Sequence, residues 1–144
     1  MPQWSGSGFI RKEFLEYKKV AVLPFQGDTK GEASDAFAEN FHKRFPQIEL
    51  IRREQVLEVF QEEELRSETI DEAGRRKIGR VFDVQALILG DVYYPSILRW
   101  LLQIQVMDIE NGEVMGRSSV EVNYVGAEGV REACQIAVKN LALR

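Results

Sequence analysis

Residues 19–25, with the sequence KVAVLPF, constrain the fold of this chain more than any other stretch. After Lys19 the run is continuously apolar, and a loop that contains Gly27 and Gly31 follows it. A short apolar run bounded by turn residues is typical of a strand buried on both faces. Pro24 has no amide hydrogen to donate to a sheet, so we expect the strand to end or bulge there. A strand buried on both faces needs helices on both sides of its sheet, and the later residues must supply them.

Apolar spacing predicts the helices. The first has residues of one face four positions apart: Ala33, Phe37, Phe41 and Phe45. Pro46 should end this helix, because proline cannot continue the backbone hydrogen bonding. Residues 54–65 give a second predicted helix, Asp71 is placed to cap a third, and an apolar stripe over residues 130–141 predicts a helix at the end of the chain.

Short apolar runs and alternating residues predict the remaining strands. Residues 48–51 and 86–93 read as a short and a longer strand, and residues 102–107 and 114–124 alternate with period two. Asn111-Gly112 lies between the last two, and this dipeptide favours a type I′ hairpin turn because it tolerates positive φ.

These elements predict an α/β fold made of a single domain with a mixed sheet covered by helices. The start of the sheet is a parallel β-α-β unit, and its end is an antiparallel meander. A length of 144 residues fits one domain. We assign residues 1–18 to a leader or tail, in which Phe14 and Tyr17 are the expected anchors, and residues 19–144 to the domain.

The composition gives little indication of catalysis, metal binding or nucleotide binding. A net charge of −4 and a pI near 5.2 give no electrostatic reason to expect a nucleic-acid partner. The only histidine, His42, and the only cysteine, Cys134, are too few for a zinc site or a catalytic pair. The loop from Gly27 to Gly31 lacks the Gly-Lys-Ser/Thr ending of a phosphate loop, so a plain strand-to-helix turn is favoured. We therefore expect no catalytic residues, no metal and no cofactor.

Residues 93–100, YYPSILRW, are unusually aromatic for a connection between two strands. Tyrosine, tryptophan and arginine are enriched at binding hot spots. Tyr93, Tyr94 and Trp100 are therefore the candidate partner-binding residues. In the alternative interpretation, the rings cover the sheet edge or pack beneath the N-terminal segment.

Four motifs, in this order and spacing, resemble the CsgG family and the related TolB N-terminal-like and LpoB domains. They are VAVLPF at 20–25, IRREQVL at 51–57, IG at 78–79 together with ALILGDV at 86–92, and VMDIENGEV at 106–114. The resemblance implies a fold like that of the TolB N-terminal domain, which is also like the anticodon-binding domain. It also implies a periplasmic envelope protein, usually a lipoprotein anchored at the outer membrane, whose signal segment is absent here.

The resemblance further implies a non-enzymatic accessory or assembly domain, whose partner is another envelope protein or a second copy of itself. A lipid anchor outside this chain would be its only membrane contact. The pore-forming members insert hairpins where this chain has only residues 93–99 and 118–127, which are too short to span a membrane. We therefore expect a domain that is not itself a pore. The alternative is a small-molecule or enzymatic site at the carboxyl ends of strands 20–25 and 86–90, where open α/β sheets place ligands.

Overall fold

The computed structural model describes residues 4–65, 70–96, 99–122 and 129–144, without the side chains of Trp4, Pro95 and Ser96. The six strands of this part of the chain are β1 Trp4–Ile10, β2 Lys19–Val22, β3 Glu49–Ile51, β4 Ala86–Ser96, β5 Arg99–Asp108 and β6 Val114–Val122. The four α-helices are α1 Glu32–Arg44, α2 Arg53–Leu57, α3 Glu72–Phe82 and α4 Gly129–Lys139. Two 3-10 helices, Lys12–Glu16 and Glu62–Leu65, complete the list.

The strands form one mixed sheet in the order β1-β6-β5-β4-β2-β3. Strand β2 pairs in parallel with β3 and β4, whereas β4, β5, β6 and β1 pair antiparallel. The predicted α/β class is therefore confirmed, with its parallel start and its antiparallel end. Strand β2 ends at Val22, two residues before Pro24, as the missing amide hydrogen requires.

The sheet separates two apolar clusters. The larger one lies under α1 and α4 and extends across the sheet from Val20 in β2 to Val120 in β6. The smaller one lies under α2 and α3 and contains Leu87 and Leu89 of β4. None of the helices in the described part of the chain is long and apolar enough to cross a bilayer.

The segment expected to be a leader is part of the domain. Trp4–Ile10 pairs with β6 along its whole length, and Phe14 in the following 3-10 helix is fully buried. The backbone of Ile10 also exchanges hydrogen bonds with Ala142 and Arg144, so both ends of the described chain meet at one corner. The predicted anchors Phe14 and Tyr17 are confirmed, because Phe14 lies in the larger cluster and Tyr17 packs against it.

Two local predictions need correction. The predicted helix 54–65 is two short pieces, because α2 ends at Leu57 and a 3-10 helix resumes at Glu62. The predicted hairpin between β5 and β6 is present, and Gln105 pairs with Arg117, but its turn is not type I′. A type I′ turn needs a positive φ at both Asn111 and Gly112, and of these two residues only Gly112 has one, of 72°. The turn is instead a longer loop, in which the Asp108 side chain accepts hydrogen bonds from the amides of Glu110 and Asn111.

Candidate functional site

One side of the sheet is covered by helices over only part of its width. Side chains of directly paired residues lie on the same side of a sheet. Phe9, Arg117, Gln105 and Leu89 form one such row across β1, β6, β5 and β4. Leu89 belongs to the cluster under α2 and α3, so Arg117 and Gln105 lie on that same side of the sheet. Arg117 is exposed and Gln105 half-buried, so the cover of α2 and α3 reaches β5 only at its end, at Met107, and does not extend over β6 and β1.

This bare part, which we call the open face, forms a polar recess of about 470 Å³. The polar side chains that line it are Ser7, Asp91, Gln103, Gln105, Arg117, Ser119 and Arg144. The neighbouring row is Ser7, Ser119, Gln103 and Asp91, which places hydroxyl, amide and carboxylate groups side by side. The recess therefore offers many hydrogen-bond donors and acceptors to a ligand or partner.

Two arginines give the open face a positive pole. The Arg144 guanidinium lies 5.0 Å from the centre of the Phe9 ring, and Arg117 is the direct cross-strand neighbour of Phe9. Neither guanidinium has a carboxylate partner within the described residues. A guanidinium without a counterion is suited to bind a carboxylate or another planar anion in two-point contact.

A negative pole lies beside the open face. Residues 54–64 contain five glutamates, and within residues 53–65 the only basic residue is Arg53. Glu62 lines a cleft together with Tyr93, and Tyr93 belongs to the open-face row of Ser5, Glu121 and Leu101. The negative pole therefore borders the same side of the sheet as the positive pole.

The cleft at the carboxyl end of β2 is the second concave site. It has a volume of about 440 Å³ and is lined by Phe25, Asp28, Glu62 and Tyr93 among others. The Asp28 carboxylate accepts hydrogen bonds from the amides of Ala33 (3.1 Å) and Ser34 (2.9 Å). Asp28 thus occupies the place at the start of α1 where a phosphate would bind, and its charge would repel one. The interpretation of residues 27–31 as a turn agrees with this geometry.

The three predicted partner-binding residues do not form one surface. Trp100 is 2% exposed and packs in the larger cluster, so its ring is covered by its own chain. Tyr94 is 66% exposed and lines a small cavity with Trp100, on the side of α1 and α4. Tyr93 is 45% exposed and lies on the opposite side, because successive residues of a strand point to opposite faces. Tyr93 and Tyr94 remain candidates for partner binding, on different sides of the sheet.

The two residues considered for chemistry stay apart. His42 is exposed on α1. Cys134 is buried on α4, donates to the carbonyl of Ala33, and has its thiol pKa raised to about 12 by burial and then by the charge of Asp28. No group of three or more His, Cys, Asp or Glu side chains in the described ranges could hold a metal ion.

Sequence reasoning missed the open face and its two arginines. The signal was present in β5, where Gln103 and Gln105 alternate with apolar residues, and in β6, where Arg117 and Ser119 share one parity. The alternation predicted that one face of this hairpin is polar. It could not show that β1 extends this face and brings Phe9 and Arg144 to it, because that pairing joins the two ends of the chain.

No protein-family model and no curated protein matches the chain, but solved structures with the same fold do. A PelC dodecamer from Paraburkholderia phytofirmans is 14% identical over 100% of this chain and 99% of its own, with a TM-score of 0.63. Lipoprotein GNA1162 from Neisseria meningitidis is 15% identical over 76% of this chain and 82% of its own (TM-score 0.58). The LpoB C-terminal domain from Salmonella enterica is 13% identical over 71% and 79% (TM-score 0.52). The predicted likeness to LpoB is thus confirmed at the level of the fold, and the likeness to CsgG stays a prediction.

Proposed function

We propose that this chain is a non-enzymatic accessory or assembly domain of the bacterial cell envelope, of the type represented by CsgG and LpoB. In this role it lies in the periplasm, is held at the outer membrane by a lipid anchor, and is not itself a pore. It acts through protein–protein contacts in secretion, in envelope assembly or in the regulation of a peptidoglycan synthase.

The observation that carries the proposal is the likeness of fold to the three solved proteins. One of them is named a lipoprotein, and a second, PelC, is described as a dodecamer and matches this chain over its full length. The partner of this chain is therefore expected to be another envelope protein or further copies of itself.

The described surface supports a binding role rather than catalysis. Tyr94 projects from the end of β4 with most of its ring in solvent, and burial of such a ring against a partner removes roughly 150–250 Å² from water. The open face adds hydrogen-bond donors and a positive pole. The chemistry of both features is typical of docking surfaces.

The alternative, a small-molecule or enzymatic site at the carboxyl ends of β2 and β4, has one observation in its favour. The cleft beside Phe25 and Tyr93 lies where open α/β sheets place ligands. The Asp28 carboxylate in this cleft already accepts two hydrogen bonds from the start of α1, so it is not free to act as a general acid or base. We therefore rank this function second.

A photo-crosslinking experiment tests the proposal. The protein, with whatever sequence precedes it in its own gene, is produced in its native host with a photo-reactive phenylalanine at position 94. We expect it in the envelope fraction and crosslinked to an envelope protein or to itself. The matched control carries the same residue at Gln135, which is exposed on α4.

A cytoplasmic protein, or equal crosslinking from positions 94 and 135, would contradict the proposal. Saturable binding of small metabolites that is lost in Phe25→Ala, with no crosslink from position 94, would favour the alternative.

A further inference from the structure

Two arginines lie close together at one end of the open face, where β1 and β6 pair. Arg117 on β6 is the direct cross-strand neighbour of Phe9, and the Arg144 guanidinium lies over the Phe9 ring, 5.0 Å from its centre. Both arginines are exposed, both line the recess of about 470 Å³, and neither has a carboxylate partner among the described residues. Like charges held close together repel each other, so an anion bound by both guanidiniums would relieve this repulsion.

Acidic residues border this end of the open face, but they do not neutralise it. Glu13 lines a second recess beside Arg144, and Arg11 lines the same recess. The Arg11 guanidinium forms an ion pair with Glu113, at 3.4 Å. Two acids are thus set against three arginines, and this end is positive in a chain whose net charge is −4.

The other end of the open face carries its negative charge. Asp91 lines the recess from β4, two strands away from Arg117 on β6. Glu121 lies two rows from Arg117 and forms an ion pair with Arg99. The cleft that contains Glu62 borders the row of Glu121 rather than that of Arg117. An anionic group of a ligand therefore belongs at the end formed by β1 and β6.

The floor between the two ends consists of side-chain amides and hydroxyls. Ser7, Ser119 and Gln103 form one row across β1, β6 and β5, and Gln105 lies beside Arg117 in the next row. Side chains within a row are about 5 Å apart, and successive rows are roughly 6.6 Å apart. Because β5 and β6 are inner strands, their backbone groups pair with neighbouring strands and leave recognition to the side chains. Amides and hydroxyls both donate and accept, so they suit a ligand whose own groups do both.

A sugar that bears a carboxylate has this combination of groups. Its hydroxyls donate and accept from adjacent ring carbons, and its planar carboxylate matches the two-point contact of a guanidinium. An acidic peptide is held best by apolar pockets or a free sheet edge, whereas this floor is polar and lies within the sheet. A nucleotide base needs an exposed aromatic face, whereas the Phe9 ring is half-buried and has Arg144 over it.

We propose that the open face binds an acidic sugar of the hexuronic acid class, either free or as one unit of a chain. Its carboxylate lies between Arg117 and Arg144, and its hydroxyls exchange hydrogen bonds with Gln103, Gln105 and Ser119. The volume of the recess is within the range of small-ligand sites, roughly 300–1,000 Å³. This binding function is additional to the proposed protein contact at Tyr94, which lies on the other side of the sheet.

The exposure of the arginines sets the expected strength of binding. Water competes for every contact of an exposed charge, so we expect a dissociation constant on the order of 1 mM for one acidic sugar unit. Binding should weaken as the salt concentration rises, because the carboxylate and the guanidiniums are screened from each other.

Titration of the isotope-labelled chain with trigalacturonic acid, followed by NMR, tests the proposal. We expect saturable shifts of the backbone amides in β1, β5 and β6 and of the side-chain N–H of Arg117. A neutral galactose trisaccharide, a tri-glutamate peptide and inorganic phosphate, compared at equal ionic strength, should each bind roughly tenfold more weakly or less. The trisaccharide lacks the carboxylate, and the other two lack the hydroxyls of the sugar ring.

Two substitutions separate the contacts to the carboxylate and to the hydroxyls. Arg117→Gln should weaken the binding of trigalacturonic acid by roughly tenfold, because a hydrogen bond between charged groups is lost. Gln103→Ala should weaken it by roughly threefold, as expected for a bond between a neutral amide and a hydroxyl. The matched control is Arg131→Gln, at an exposed position on α4 on the other side of the sheet, and it should bind like wild type. Thermal unfolding of each variant checks the fold.

Four results would overturn the proposal. They are no saturable shift with trigalacturonic acid at concentrations on the order of 10 mM, shifts centred away from the open face, equal binding of the neutral trisaccharide, and equal binding of tri-glutamate or phosphate. Equal binding by Arg117→Gln and wild type would also contradict it. The crosslinking from position 94 reports on the other side of the sheet and should be unchanged in Arg117→Gln, so this site and the proposed function can fail separately.

Discussion

Phe14→Ala tests whether the N-terminal segment belongs to the folding unit. The Phe14 ring is fully buried and makes edge-on contacts with Tyr17, Phe41 and Phe45, with ring centres 5.3, 5.7 and 5.9 Å apart. Its contacts with Phe41 and Phe45 link the segment before β2 to helix α1 and the residue that follows it. If residues 1–18 were an independent tail, removal of the Phe14 ring would leave the stability of the domain unchanged.

The expected cost follows from the burial. Truncation of a buried phenylalanine to alanine destabilises a protein by about 3–5 kcal/mol, through lost transfer energy and an unfilled cavity. With a urea dependence of about 2 kcal/mol per molar for a chain of this size, the unfolding midpoint should fall by roughly 1.5–2.5 M. A double-mutant cycle with Phe41→Ala should give a coupling of about 0.5–1.5 kcal/mol, which is usual for an aromatic pair.

Urea unfolding followed by circular dichroism measures both quantities. The neighbouring residue supplies the control, because Leu15 is 41% exposed and Leu15→Ala should cost clearly less. Equal midpoints for Phe14→Ala and Leu15→Ala, or no coupling with Phe41, would refute the placement of this segment in the core.

Four further predictions follow from single contacts. Asp28→Ala should lower stability by about 1 kcal/mol in thermal unfolding, since two amides at the start of α1 lose their acceptor; an unchanged midpoint would contradict the cap. Trp100→Ala should lower the free energy of unfolding of the isolated chain by about 3–5 kcal/mol in urea, and a loss of partner binding without loss of stability would contradict its burial. Cys134 should resist thiol reagents at about pH 8 in the folded chain and react in urea, because burial raises its pKa from 9.0 to about 12; rapid labelling of the native protein would count against this. Burial and the hydrogen bond to Asp108 raise the pKa of Tyr17 above 10.0, its value in the unfolded chain. The neutral Tyr17 side chain therefore contributes its full stability below pH 10.0, and this stability is lost as the pH rises further. Tyr17→Phe should make the stability fall less steeply at alkaline pH, and an unchanged dependence of stability on pH would exclude the contact.

Patterns within a short stretch of sequence predicted the buried face of α1 and the cap of α3. The four-residue spacing of Phe37 and Phe41 predicted the buried face of α1, and both rings are fully buried. Asp71 was predicted to cap α3, and its carboxylate accepts from the amide of Gly74 at 2.8 Å. Both features depend on residues within one or two helical turns of each other, so a sequence window contains all the information that they need.

Strand β1 shows why the remainder could not be predicted. Its serines and glycines are typical of a flexible tether. In the folded chain the glycines are required by close approach, because a Cβ on Gly6 would lie 1.9 Å from the carbonyl oxygen of Ser119 and one on Gly8 would lie 2.5 Å from that of Arg117. The partner strand lies more than a hundred residues away, so no local pattern distinguishes a tether from an edge strand packed this tightly.

The candidate site was predicted only in part, because it too depends on packing between residues that are distant in the sequence. Exposed Tyr93 and Tyr94 were found because aromatic residues are conspicuous in a connection. Tyr93 and Tyr94 point to opposite sides because β4 continues as a strand through Ser96, whereas the sequence predicted a connection after residue 93. Trp100 was assigned to the surface because its burial depends on packing against α1 and α4, which a sequence window does not include.

The pairing of β1 with β6, and of Ile10 with Leu143, has a consequence for the order in which the chain can fold. During synthesis β1 emerges long before β6, so Phe9 and Ile10 have no strand to pair with until β6 and Leu143 have been made. Folding must then close a loop that contains most of the domain, which slows folding and favours one cooperative step. A chaperone that holds β1 extended would therefore delay the whole domain, and the emergence of β6 and of the residues around Leu143 would be the event that lets the sheet form.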